Sequence, residues 1–196
     1  LVRPFVFRRY LDFVALENLR DMHRQVREEV KRRDRENDIK LGPGGIREIE
    51  FIAQVFQLIR GGRDTSLQTR ATIATLQLLA EKSLLPAGTV AELLDAYRFL
   101  RALEHRLQYR DDAQTQRLPS DESELNLIAL SMGFSDPEQF RAVLNEHRAR
   151  VTLHFDGVFA EQKDNGAAAA ELLQGNGAGA HIEALGYDEA PEVVRR

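Results

Sequence analysis

The sequence contains no cysteine, no tryptophan and only two methionines. Without a thiol there is no disulfide and no thiolate metal site, and the lack fits a reducing compartment, so a cytoplasmic location is expected. The five histidines show neither HxxxH nor HxxH spacing, so no metal site is expected from them. No apolar run approaches the roughly 18 residues that a membrane span requires, and no membrane is expected as a partner. Aromatic residues make up 7% of the chain and are missing from its most basic stretch, HRQVREEVKRRDRE, where the cations are interleaved with Glu28, Glu29, Asp34 and Glu36. A nucleic-acid groove needs stacking rings among its cations, so this stretch reads as a solvated helix face, with no nucleic-acid partner.

What is present reads as globular, with 43% hydrophobic and 30% charged residues. A chain of 196 residues holds one domain, or one plus a fragment, and buries about 70% of its unfolded surface. The net charge of -4 hides an asymmetry: residues 1–63 carry 14 Lys and Arg against 10 Asp and Glu, and the remainder 13 against 21. Such a bias serves a phosphate, an acidic partner or nothing at all. The chain opens at Leu1 in mid-pattern and both methionines are internal, so a fragment of a longer protein is expected.

The periodicities are helical. From 14 to about 33, Leu16, Leu19, Met22, Val26 and Val30 recur every three or four residues, with His23 beside the stripe. A helix beginning at Ile46 ends at Gly61-Gly62, and Ile73, Leu76, Leu79 and Ala80 mark the next, closing near Leu84 before Pro86. A long helix then buries Leu93, Tyr97, Leu100, Leu103 and Leu107. Asp111 and Asp112 lie in a polar turn; adjacent carboxylates can hold magnesium, but here they read as solvent-facing. Ser120 caps a short helix closed by Gly133, and Ser135-Asp136-Pro137-Glu138 forms a capping box. Phe140, Leu144, His147, Val151, Phe155 and Val158 then follow as a packing seam, on which His147 reads as a core or edge residue.

The expected fold class is therefore all-α: a bundle of about six to seven helices over residues 14–161, with any strand confined to a short piece near residue 5 or 39. A Gly/Ala-rich linker is expected over 162–180, including NGAAAA and GNGAGA. Residues 181–196 read as the start of a further domain or a tail docked on the bundle.

The least generic stretch is residues 38–51, DIKLGPGGIREIEF: an extended run, a Gly-Pro-Gly-Gly turn and an abrupt helix. A glycine turn opening onto a helix N-terminus offers backbone N–H groups and a positive dipole end to an anion, with Lys40 and Arg47 nearby. The competing reading is a tight turn feeding a packed helix. It is not a Walker loop, since no Gly-Lys-Ser/Thr follows. On the wheel Glu48 falls inside the apolar arc of Ile52, Val55 and Ile59, and Glu104 inside that of Leu93 and Tyr97. Carboxylates there must be paired, hydrogen-bonded or protonated. An internal ion network of Glu48, Arg98, Arg101 and Glu104 is the structural reading; the functional one has the glutamates aim Arg47 or Arg101 at a ligand phosphate.

DIKLGPGGIREIEFIAQVFQLIRGG, preceded by RPFVFRRYLDF and followed by YRFLRALEHRLQ, DDAQTQRLPSD and MGF, resembles the glutamine synthetase adenylyltransferase family. These are the bifunctional adenylyltransferase and adenylyl-removing enzymes of bacterial nitrogen control, and similar glycine turns occur in the related PII uridylyltransferases. The resemblance runs from residue 1 to about 160. It implies the helical region that follows the first of two nucleotidyltransferase domains, the one associated with adenylyl removal, with residues 1–13 as the trailing segment of that domain.

The resemblance also implies a chemistry: AMP transfer from ATP to a tyrosine of glutamine synthetase, and its phosphorolytic removal, under control of PII protein and glutamine. Magnesium and ATP or ADP would be cofactors of the parent enzyme. Partners would be the adjacent nucleotidyltransferase domain, glutamine synthetase and PII. The family's metal-binding signature, Gly-Ser followed by Asp-x-Asp on a strand, is missing from this sequence. No catalytic residue and no bound cofactor are therefore expected in this stretch, which should be inactive alone. Lys40, Gly44, Gly45 and Arg47 would line or buttress the active-site cleft of the removing half. The alternative is a non-catalytic module that docks PII protein or glutamine synthetase.

Overall fold

A computed structural model describes residues 6–7, 13–32, 37–109 and 116–159. The expected linker and tail, the Asp111-Asp112 turn and nearly all of residues 1–12 lie outside the described residues. Within them run six α-helices: α1 (Phe13–Arg32), α2 (Ile46–Arg60), α3 (Thr72–Glu81), α4 (Ala87–Tyr109), α5 (Glu122–Ser131) and α6 (Pro137–Phe159). A 3-10 turn, Thr65–Leu67, links α2 to α3. The all-α expectation holds among the described residues, where the extended backbone amounts to one antiparallel bridge between Asp38 and Arg117.

The core gathers around α2, which packs against α3, α4 and α6, while the two 23-residue helices α4 and α6 lie along each other. Ile46, Ile49 and Ile52 of α2 meet Leu76 and Leu79 of α3, Leu93, Leu100 and Leu103 of α4, and Phe140 and Val151 of α6, all inaccessible to solvent. Each such side chain stabilises the fold by about 1.5–3 kcal/mol relative to exposure. At the far end Phe99, Phe134, Phe140 and His147 form an aromatic cluster, with the Phe99 and His147 rings 4.6 Å apart. Burial holds the His147 imidazole below its ordinary pKa, and its Nδ1 makes no hydrogen bond.

Helix α1 is attached differently. Val30 is buried, whereas Met22 and Val26, respectively two turns and one turn earlier on the same stripe, are 45% and 40% exposed. Among the described positions of the stripe, burial is thus confined to the one nearest the C-terminal end of α1.

Two caps differ from expectation by one residue. Asp121, not Ser120, caps α5, because its Oδ1 accepts from the Glu124 N–H at 3.0 Å. Asp136, not Ser135, caps α6 by accepting from the Glu138 N–H at 2.9 Å, with Pro137 in the first helical position where no donor is lost. After α3 the chain reverses through Ser83 at φ 52°, and the Leu84 N–H donates to Leu79 O at 2.8 Å. That ending has the form of a glycine cap but no glycine in the sequence to announce it.

Candidate functional site

The glycine turn is organised by Asp38, a buried residue that the sequence reading passed over. Its Oδ1 accepts from the N–H groups of Lys40 and Leu41, each at 2.9 Å, and its carbonyl accepts from Gly42 at 2.8 Å. This is an Asx turn, and an aspartate heading a Gly-Pro-Gly-Gly run was the available signal. The Ile39 N–H donates to Gln116 O at 2.9 Å and the Leu118 N–H to Asn37 O at 3.1 Å, which ties the turn to the segment before α5.

The helix that follows has its first donors taken. The N–H groups of Ile46, Arg47 and Glu48 donate to the carbonyls of Ile39, Lys40 and Gly45 at 3.0–3.1 Å. The donors that a helix N-terminus usually leaves free are thus satisfied by the turn itself. Both central glycines are dictated by space. Gly44 has φ +67°, and a Cβ there would lie 2.1 Å from the carbonyl oxygen of Arg148 in α6; at Gly45 it would lie 2.7 Å from the carbonyl oxygens of Lys40 and Gly42. Arg148 completes the contact by donating Nε–H to Pro43 O at 2.8 Å.

Glu48 and Glu104 are both buried, 4% and 1% exposed. Glu48 accepts from the Gly44 N–H at 3.0 Å through Oε2 and from Arg27 Nε–H at 3.0 Å through Oε1, with Arg27 Nη2 at 2.9 Å from the same oxygen. Arg27, on α1, reaches Asp156 Oδ1 of α6 at 2.8 Å and stands 5.0 Å over the Phe155 ring. Burial pushes the Glu48 carboxyl above its ordinary pKa, outweighing the lowering by Arg27 and the Gly44 N–H. Burial acts to lower the Arg27 guanidinium, but Glu48 and Asp156 outweigh it and hold it above its ordinary value.

Glu104 takes its cations from elsewhere. Arg101, one turn earlier on α4, bonds Oε2 through Nη1, and Lys40 Nζ of the turn lies 3.4 Å from Oε1. Oε1 itself is buried without a hydrogen bond. The expected network is therefore divided: α1 supplies Glu48's arginine, the turn supplies Glu104's lysine, and Arg98 is exposed on α4. A wheel of one helix cannot show a partner that arrives from another element. Arg47 is 56% exposed and pairs with Glu50 at 3.5 Å, so the structure brings Lys40 to Arg101 and places Arg47 in a different pair.

Three further features escaped the sequence reading. His154, buried on the α6 seam, contacts Glu92 of α4 at 2.6 Å through Nε2. Asp64 is paired with Lys82 at 2.6 Å, and that bond together with Ser66 lowers its carboxyl to about 2. A cleft of about 420 Å³ lies between α1 and the turn, floored by Met22, Val26, Val30 and Leu41 and edged by Gln25 and Glu28. Among the described residues no three His, Asp or Glu side chains come together to hold a metal ion, and no helix is long and apolar enough to cross a membrane.

This arrangement, a helical bundle closing on a glycine turn, falls within a family with a defined sequence model, described as GlnD PII-uridylyltransferase, which matches residues 20–159; the chain belongs to that family. Its curated relatives are more specific in name. It is 57% identical over 164 residues to the bifunctional glutamine synthetase adenylyltransferase/adenylyl-removing enzyme of Aromatoleum aromaticum, covering 84% of this chain and 18% of the relative. The enzyme of the same name from Nitrosomonas eutropha is 59% identical over 163 residues, covering 83% and 18%. That from Chromobacterium violaceum is 51% identical over 201 residues, covering 100% and 22%. The chain thus spans about a fifth of the length of these relatives.

Proposed function

We propose that this chain is a helical accessory domain of an enzyme that adenylylates glutamine synthetase and removes the adenylyl group. The observation that carries this reading is the similarity to enzymes of that name, at 50–59% identity over 83–100% of the chain. In this reading an adjacent nucleotidyltransferase domain, of which residues 1–13 are the trailing segment, performs AMP transfer from ATP to a tyrosine and phosphorolytic removal. Magnesium and ATP or ADP belong, in this reading, to that domain. The stretch alone is inactive, works in the cytoplasm and contributes Lys40, Gly44, Gly45 and Arg47 to the border of the active-site cleft.

The turn's rigidity supports this role. Its donors are internally satisfied, so it holds Lys40 and Arg47 at fixed places on the surface instead of lending backbone N–H groups to an anion.

A second reading is favoured by α1: its exposed Met22 and Val26, beside a cleft floored by Val30 and Leu41, suit docking of PII protein or glutamine synthetase. The two separate in the full-length enzyme, assayed for phosphate-dependent removal of AMP from adenylylated glutamine synthetase with Lys40→Ala and Arg47→Ala. A loss of about 10²-fold in a folded variant, roughly 3 kcal/mol, places the turn at the chemistry. Unchanged turnover with an altered response to PII makes the chain a docking module.

A further inference from the structure

Lys40 and Arg101 are 61 residues apart in sequence and converge on one buried carboxylate. Glu104 is 1% exposed, while the side chains of Lys40 and Arg101 are 30% and 38% exposed. The negative charge is thus buried, while the side chains of both cations are partly open to solvent. Arg101 commits Nη1 to Glu104, and Lys40 Nζ stands at 3.4 Å, beyond an ordinary N–H···O bond of about 2.9 Å. Oε1 is left buried and without a hydrogen bond, an arrangement that costs free energy and that a purely structural pair would close. The ammonium is therefore near the carboxylate as a charge, at a separation longer than an ordinary hydrogen bond, on a side chain that is 30% exposed. The two cations outnumber the one anion, so the cluster carries a net positive charge.

We propose that Glu104 is a positioning residue that sets Lys40 and Arg101 side by side as a two-cation cup for a phosphate-type anion. The proposal rests on the reading of the glycine turn as a border of the nucleotide-handling site, and it moves the anion contact away from the N-terminus of α2. There the first three N–H groups are already bonded, and Arg47 faces Glu50. Arginine and lysine complement each other in this role, one with a fixed planar fork and the other with a mobile point charge.

The test uses inorganic phosphate titrated into the isotopically labelled chain, followed by magnetic resonance of the Lys40 and Arg101 side chains, with thermal melts as the folding check. Saturable shifts at both are expected. Lys40→Gln and Arg101→Gln should each weaken phosphate by about tenfold or more, the worth of one charge-assisted hydrogen bond, and Arg47→Gln by less than about twofold.

Glu104→Gln is the decisive variant. Removing a negative charge beside an anion site strengthens binding if Coulomb attraction alone matters, whereas loss of positioning weakens it. Weaker binding in a folded Glu104→Gln supports the proposal; equal or tighter binding overturns it. Should that variant unfold, Glu104→Asp keeps the charge and withdraws the carboxylate by one methylene: weaker phosphate binding at unchanged net charge supports the proposal, and unchanged binding overturns it. Absence of saturable phosphate binding also overturns the cup. The turnover assay on the full-length enzyme judges the domain reading separately, since Lys40→Ala can abolish turnover whether or not Glu104 positions it.

Discussion

Glu48 and Glu104 are the same residue type on similarly apolar helix faces, yet one is saturated and the other is not. Glu48 receives a backbone N–H from Gly44 and a guanidinium from Arg27, so both oxygens are bonded. Glu104 has one oxygen bonded to Arg101 and the other merely near Lys40. A saturated buried carboxylate fixes geometry, here the entry angle of α2 and the seat of α1. A half-saturated one leaves its cations with capacity to spare. Burial alone does not separate the two roles; the count of donors does.

The largest expected effect falls where the two regions meet. Gly44→Ala puts a Cβ against the Arg148 backbone and keeps a positive φ, so a loss of about 3 kcal/mol or more is expected in urea unfolding. A loss below about 1 kcal/mol would mean that α6 yields and that the turn is not rigid.

Next, Glu48→Ala should cost about 3 kcal/mol, because it strands the Gly44 N–H and half-buried Arg27. Glu104→Ala should cost about 1 kcal/mol, since Lys40 and Arg101 can rehydrate. Equal costs in the same unfolding experiment would erase the distinction between the two sites.

The pH dependence sharpens it. Because burial raises the folded pKa of Glu48, its stability contribution is full below its ordinary value and is lost as pH rises through the raised one. Wild type should therefore exceed Glu48→Gln by most at about pH 4, with the gap narrowing on going toward neutrality. A gap that widens with pH would show that Arg27 outweighs burial.

The smallest effect is expected at Asp64, whose lowered carboxyl contributes stability that is present above its ordinary pKa and lost as pH falls through about 2. With the pair about a third exposed, Asp64→Asn should cost under about 1 kcal/mol at neutral pH, measured by thermal melts, and nothing in strong acid.

Much of this was legible because it is periodic. The α2 stripe, the α4 stripe with Glu104 inside it, and the α6 seam from Phe140 to Phe155 follow from spacing, and the structure buries them apart from Ile59 and Tyr97, which are partly buried against the core. Glu48 was recognisable as an interior carboxylate for the same reason. Its partner was not, since Arg27 lies 21 residues away on a helix whose own pattern says only that one face is apolar. Lys40 was noticed for its place beside the glycines, but its meeting with Glu104 depends on how the turn lies across α4. His154 stood at a seam position and went unread because Phe155 beside it already filled the period.

Pro43 and Gly44 lie early in the chain, and their neighbour Arg148 comes 105 residues after Pro43. The turn is written locally but finished remotely: Asp38 can bend the backbone as soon as it is made, whereas the shape that excludes a side chain at Gly44 exists only after α6 has docked. Contacts of such sequence separation form late, because the intervening chain must first give up its freedom. During synthesis the turn therefore waits, bent but unlocked, until the helix that closes it has emerged. The close fit around the most conspicuous motif in this sequence is thus complete only once α6 has docked.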